Sequence, residues 1–158
     1  MRIEGWEQRL EAWVEQHRTA SFVWGQTDCA MFASGAVRAI TGQDPFSEYR
    51  GLYDSEEGAE LLLDEAGGFE ALCTAVLGDP RPIGHARRGD LVFGPLRPDG
   101  AEGLAVCLGT IAATPGYVWR PGTARNPEGR RVLTGKIAAE PGLVFHKLAG
   151  FRLAYRID

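Results

Sequence analysis

The run Phe22-Val-Trp24-Gly25-Gln-Thr-Asp28-Cys29 places a cysteine directly behind an acidic residue and a glycine-bearing loop. Thr27 and Asp28 are good helix N-cap residues, and Cys29–Thr41 holds helix formers without proline before Gly42. Cys29 then falls in the first helical turn. Unpaired N–H groups and the positive end of the helix dipole favour thiolate there, and they offer donors to an oxyanion formed on a substrate carbonyl. The chemistry suited to that position is nucleophilic attack, with Trp24, Gly25 and Asp28 shaping a cleft beside the sulfur. The same cysteine fits a packing role, because Cys29, Ala33, Ala36 or Val37, and Ile40 share one helical face.

A nucleophilic cysteine needs a base, and the chain has three histidines. His17 ends an amphipathic segment, where a structural role is expected. His85 sits in a Pro/Gly loop. His146 follows Leu143-Val-Phe145 and faces outward if Phe145 faces the core. Asp90 could orient an imidazole, although a residue opening a strand after glycine more often ends a turn by bonding nearby backbone N–H groups.

The elements that must position these groups are readable from periodicity. Ile3, Trp6, Leu10, Trp13 and Val14 recur every three or four residues, which predicts a helix over 3–17, interrupted over 21–25. After the Cys29 helix, Asp54 or Ser55 caps a third that ends at Gly67-Gly68, and Phe69, Leu72, Cys73, Val76 and Leu77 predict a fourth. From Asp79 onward prolines and glycines punctuate short β-prone runs. Strands are expected near 91–93, 104–108, 117–119, 132–138, 143–145 and 151–157. The segment 109–118 is echoed at 135–144, each copy carrying a Pro-Gly pair that predicts a turn, and 120–131 reads as an exposed loop or β-excursion. The expected architecture is α+β: one domain over 1–158, helical over 1–78 and a sheet or small barrel over 79–158.

Composition narrows the function. The chain is 158 residues long, 44% apolar and 24% charged, with a formal charge of −4 and no basic stripe, which argues against nucleic-acid binding. No signal peptide and no membrane insertion are expected, because no basic region precedes an apolar run and no window reaches eighteen apolar residues. Cys29, Cys73 and Cys107 form no CxxC pair, which fits reduced thiols, with Cys73 and Cys107 in the core. The scattered cysteines and histidines and the lack of a phosphate-binding glycine motif predict no metal and no cofactor.

Phe22-x-Trp24-Gly25-x-x-Asp28-Cys29, Thr41-Gly42-x-Asp44-Pro45, Arg50-Gly51-x-Tyr53 and Arg88-Gly89-Asp90-Leu91-Val92, in that order, resemble phage proteins related to the NlpC/P60 family. The resemblance covers most of the chain and is poorest over 120–131. It implies a papain-like fold, with the nucleophile helix packed on an antiparallel sheet that the Gly89-Asp90 strand opens. It also implies cleavage of peptide bonds in peptidoglycan, by domains that in phages sit at the tail tip. One position departs from the pattern. Active members resemble one another in a strand beginning His-Val-Gly-Ile, whose histidine is the base, and here that strand reads Gly103-Leu-Ala-Val-Cys-Leu-Gly109. Glycine accepts no proton, so the base must come from elsewhere, with His146 the best-placed substitute and His85 the alternative, or catalysis has been lost.

The resemblance thus implies a structural component of a phage tail tip or baseplate, made in the host cytoplasm and carried in the virion beside other tail proteins. An active peptidoglycan peptidase or amidase and a tail-assembly chaperone are the alternatives. Cys29 is expected at the mouth of a shallow cleft, and any partner surface on the sheet side or over 120–131.

Overall fold

The computed structural model describes the backbone of residues 1–158 and the side chains of all but 119–121 and 136–138. Four helices come first: α1 (Trp6–His17), α2 (Cys29–Thr41), α3 (Glu56–Glu65) and α4 (Phe69–Leu77). Six strands follow: β1 (Arg81–Pro82), β2 (Leu91–Pro95), β3 (Glu102–Cys107), β4 (Ile111–Arg125), β5 (Arg131–Lys147) and β6 (Leu153–Tyr155). They form one antiparallel sheet in the order β1-β6-β2-β3-β4-β5, so the chain is α+β.

The helix ends follow local chemistry. The Asp28 side chain accepts from Met31 N–H at the start of α2, and Gly42 closes it at φ 81°. Ser55 caps α3 by accepting from Gly58 N–H. α1 begins at Trp6 rather than at Ile3, because the Ile3 N–H is spent on the Ile40 carbonyl at the far end of α2. That bond, with Trp13 Nε1–H donating to Phe32 O at 3.2 Å, ties α1 along α2. The Trp13 ring packs against the backbone at Gly35, where a Cβ would lie 2.2 Å from it, so a larger residue would displace the ring.

Alternation along the strands sorts the core into two layers. Leu91, Phe93, Leu104, Val106 and Tyr155 face the helices and meet Leu10, Phe32, Ala36 and Ile40. Val92, Ala105, Cys107, Ala112, Phe151 and Ala154 form a second cluster on the opposite face, covered by Ile83, Leu96 and Leu148. Each large apolar side chain buried in the main layer contributes about 1.5–3 kcal/mol.

Asp90 holds the start of β2. Fully buried, it accepts from Arg87 N–H, Arg2 Nη2 and Ile157 N–H and pairs at longer range with Arg156, so both ends of the chain are fastened to one carboxylate.

The echoed segments correct one expectation. The Pro-Gly pairs do not make turns. Pro115-Gly116 and Pro141-Gly142 lie inside β4 and β5 and pair with each other's neighbourhoods, Pro115 with Leu143, Gly116 with Gly142 and Tyr117 with Pro141. The two copies of the echo are the two sides of one hairpin. A two-stranded ribbon leaves alternate N–H groups without a ladder partner, so proline is tolerated there where a central strand would reject it. The strands expected over 117–119, 132–138 and 143–145 are accordingly parts of two long strands, and 120–131 is a β-excursion with its reversal at 126–130.

Candidate functional site

Cys29 occupies the first turn of α2, partly exposed, beside a small cleft. Trp24, Phe46 and Tyr53 line the cleft together with Leu62 and Leu63 of α3 and Phe69 of α4. Its volume is about 60 Å³. Ordinary ligand pockets run to roughly 300–1,000 Å³, so the cleft is several-fold smaller than these.

The loop that delivers Cys29 is held by Asp28, which is buried and accepts three hydrogen bonds. Oδ1 takes Met31 N–H at 2.9 Å, and Oδ2 takes Gly25 N–H at 2.7 Å and the Tyr53 hydroxyl at 2.6 Å. One carboxylate therefore caps the helix and fixes the Trp24-Gly25 loop. Burial first, and then the bond to Asp28, pushes the Tyr53 hydroxyl pKa upward. Gly25 has φ 76°, and a Cβ there would lie 2.1 Å from the Tyr53 carbonyl oxygen. Its own carbonyl accepts from Gly51 N–H at 3.0 Å. Behind this pair, Ser34 Oγ bonds Asp44, Asp44 pairs with Arg50 at 2.9 Å, and Phe46 N–H donates to Ser34. The motif pieces scattered from Phe22 to Tyr53 thus meet around one helix start.

The electrostatics run against a nucleophile. Burial of the sulfur, and then the Asp28 carboxylate beside it, push the Cys29 thiol up to about 12. Backbone N–H groups of Leu104, Ala30 and Cys29 itself act in the opposite direction and are outweighed. The residue keeps some exposed surface, but protein surrounds the sulfur on most sides, and that decides the sign.

Gly103, at the second position of β3, lies directly against the thiol. A Cβ added to it would stand 3.1 Å from Cys29 Sγ and 2.8 Å from Leu96 Cδ1. The space into which a side chain on this strand would project is filled by Leu96, which follows β2.

The three histidines lie elsewhere. His146 is opposite Ala112 on β4, its ring edge-on to Phe151 at 5.9 Å, among residues of the second cluster on the sheet face away from α2. Partial burial there lowers its pKa. His85 is exposed at the end of a single helical turn, Ile83–His85, ahead of β2. His17 donates from Nδ1–H to Trp13 O at 2.8 Å and lies tilted against the Trp13 ring, centroids 3.8 Å apart. Among the described residues, none of those lining the cleft is a histidine. Asp90 touches arginines and backbone N–H groups, and no imidazole is among its partners. Trp24, Gly25 and Asp28 do gather at Cys29. Leu96 is the residue sequence reasoning missed, and nothing in its local pattern marks it. No group of three or more metal-ligating side chains occurs among the described residues.

The fold and site define an α+β protein in which a helix-start cysteine faces a glycine-bearing strand. Residues 1–157 match the family described as Domain of unknown function (DUF6950), and the chain belongs to that family. No curated protein and no solved structure matches it.

Proposed function

We propose that this chain is a papain-like domain of the NlpC/P60 kind whose catalytic chemistry is silent, serving as a structural component of a tailed-phage tail tip or baseplate. The observation that carries this reading is the contact of Gly103 with Cys29. The strand position that the resemblance reserves for the base touches the sulfur, yet it has no side chain, and Leu96 fills the space. The raised thiol pKa and the position of His146 on the other face of the sheet support the same conclusion. What persists is the frame: the Asp28 cap, the Gly25–Gly51 clamp and the Asp44–Arg50 pair. A frame kept without its base suits a role in assembly. Residence in the host cytoplasm and then in the virion, among other tail proteins, belongs to this proposal.

The second reading, an active peptidoglycan peptidase or amidase, is favoured by one feature: N–H groups of Cys29 and Ala30 at a helix start act on a partly exposed thiol. Digestion of purified peptidoglycan by the wild type and by Cys29→Ala, with fragments identified by mass spectrometry, separates the two. No Cys29-dependent fragment is expected, and alkylation by iodoacetamide should stay slow until strongly alkaline pH. Cys29-dependent cleavage would sink the silent reading. Mass-spectrometric composition of purified virions tests the placement: presence at fixed copy number fits a tail component, and absence from virions with presence during assembly indicates a chaperone.

A further inference from the structure

β4 and β5 run past the rest of the sheet. β3 pairs with β4 at Val106 with Ala113 and Cys107 with Ala112, whereas β4 and β5 stay paired out to Arg125 with Arg131. Beyond Thr114 the described sheet is a two-stranded ribbon. Residues 114–125 span roughly 36 Å at about 3.3 Å per residue. Such a ribbon is weakly self-supporting in water and offers unpaired backbone edges. It also exposes Tyr117, Val132 and Leu133, the last 72% accessible. Residues 117–141 hold five Arg or Lys and two Glu, a net charge of +3 on a chain whose total is −4.

The opposite charge is concentrated on α3 and its approach. Residues 54–65 contain Asp54, Glu56, Glu57, Glu60, Asp64 and Glu65 and no Lys or Arg. Glu56 pairs with Arg97; no such partner is described for Glu57, Glu60 or Asp64. None of the ten residues of α3 is fully buried, and Leu61 among these carboxylates is 68% exposed. A strand pair lacking a third strand and the carboxylate-bearing outer face of a helix whose Leu62 and Leu63 turn inward to the Cys29 cleft are two exposed surfaces of opposite sign.

We propose that copies of this chain associate head to tail, the basic β4–β5 ribbon of one copy docking on the acidic α3 face of the next. Arg125, Arg130 and Arg131 at the ribbon tip meet Glu57, Glu60 and Asp64, with Leu133 beside Leu61. Arg125 donates to the Gly129 carbonyl and Arg131 to Thr123, which fixes the tip in shape before it docks. Because the two surfaces differ, each docked copy still presents a free ribbon or a free α3, and the contact propagates into a closed ring or an open filament. The inference stands whether Cys29 is silent or active, since neither surface includes the thiol.

Sedimentation velocity and light scattering on the full chain, from micromolar to near-millimolar concentration, test it. Association is expected at low salt, with affinity falling about tenfold or more by about 0.5 M salt. Arg125→Glu/Arg130→Glu/Arg131→Glu and Glu57→Lys/Glu60→Lys/Asp64→Lys should each be monomeric. Mixed in equal amounts they should associate again, because each variant supplies the surface that the other's reversed charges need. Where circular dichroism shows that a reversal fails to fold, Gln at the same exposed positions replaces it and should weaken association at least about tenfold. A wild type that stays monomeric throughout, association that survives both reversals or the Gln replacements, or a folded mixture that stays monomeric overturns the proposal. Capture of a different acidic protein by a monomeric wild type also overturns it.

Discussion

The loop that carries Cys29 and the ribbon formed by β4 and β5 differ in how their backbones are satisfied. In the loop, Asp28 accepts three hydrogen bonds, Gly25 is closed from both sides by Tyr53 and Gly51, and Asp44 is held between Ser34 and Arg50. In the ribbon, the described ladder beyond Thr114 joins β4 to β5 alone, with Leu143 N–H reaching the Arg18 carbonyl, and Tyr117, Val132 and Leu133 face water. The first region is over-determined in geometry, and no histidine lines it among the described residues. The second is under-determined and strongly charged. That contrast, a tightly bonded loop beside an exposed charged ribbon, is what the proposed assembly role and the proposed self-association would draw on.

The largest effect that would sharpen this contrast is expected at Asp28. Asp28→Ala removes a helix cap and leaves Gly25 N–H and the buried Tyr53 hydroxyl unpaired, a loss of about 3–5 kcal/mol in urea unfolding. A loss under about 1 kcal/mol would show that the loop is held by something else. Gly25→Ala comes next, about 2–4 kcal/mol, because φ 76° is strained for alanine and the added methyl meets the Tyr53 carbonyl. Gly103→His should cost about 1–3 kcal/mol by overpacking against Leu96, and Leu96→Ala added to it should recover part of that loss. The double variant should also react with iodoacetamide at lower pH than the wild type, since an imidazolium beside Sγ stabilises thiolate.

Alkali tests the same region. The unfolded thiol titrates near 9.0 and the folded Cys29 near about 12, so above pH 9 the unfolded state releases its proton first. The stability contributed by the neutral thiol is present below pH 9 and is lost progressively towards pH 12. Cys29→Ala should flatten that decline. A slope remains from Cys73 and Cys107, whose pKa values burial also raises. The smallest effect belongs to the ribbon, where Leu133→Ala should change stability by no more than about 0.5 kcal/mol. A large loss there would mean that the ribbon is part of the core after all.

Local signals carried the helical half. Asp28, Ser55 and the Gly67-Gly68 pair mark helix ends because capping is decided within four residues, and the sequence places α2 over the residues where it is found. The sheet half was less legible, for a reason visible at Pro115 and Pro141. A Pro-Gly pair is a turn signal in isolation, and only the pairing of Gly116 with Gly142, between segments 26 positions apart, places both pairs inside strands. The candidate site divides in the same way. Trp24, Gly25, Asp28 and Cys29 are neighbours in the chain and were found together. Tyr53 has its hydroxyl on Asp28 and Leu96 fills the space beside Gly103; both arrive from distant segments, and no spacing rule announces them.

The contact of Leu96 with the space beside Gly103 also bears on the routes by which sequences of this kind can change. A single replacement that restores an imidazole on β3 collides with a leucine already in place, and a single replacement that clears the leucine opens a void beside the sulfur with nothing to fill it. Both of these one-step neighbours are expected to be less stable than this chain, so on the silent reading a histidine-activated thiol lies two replacements away, across a valley.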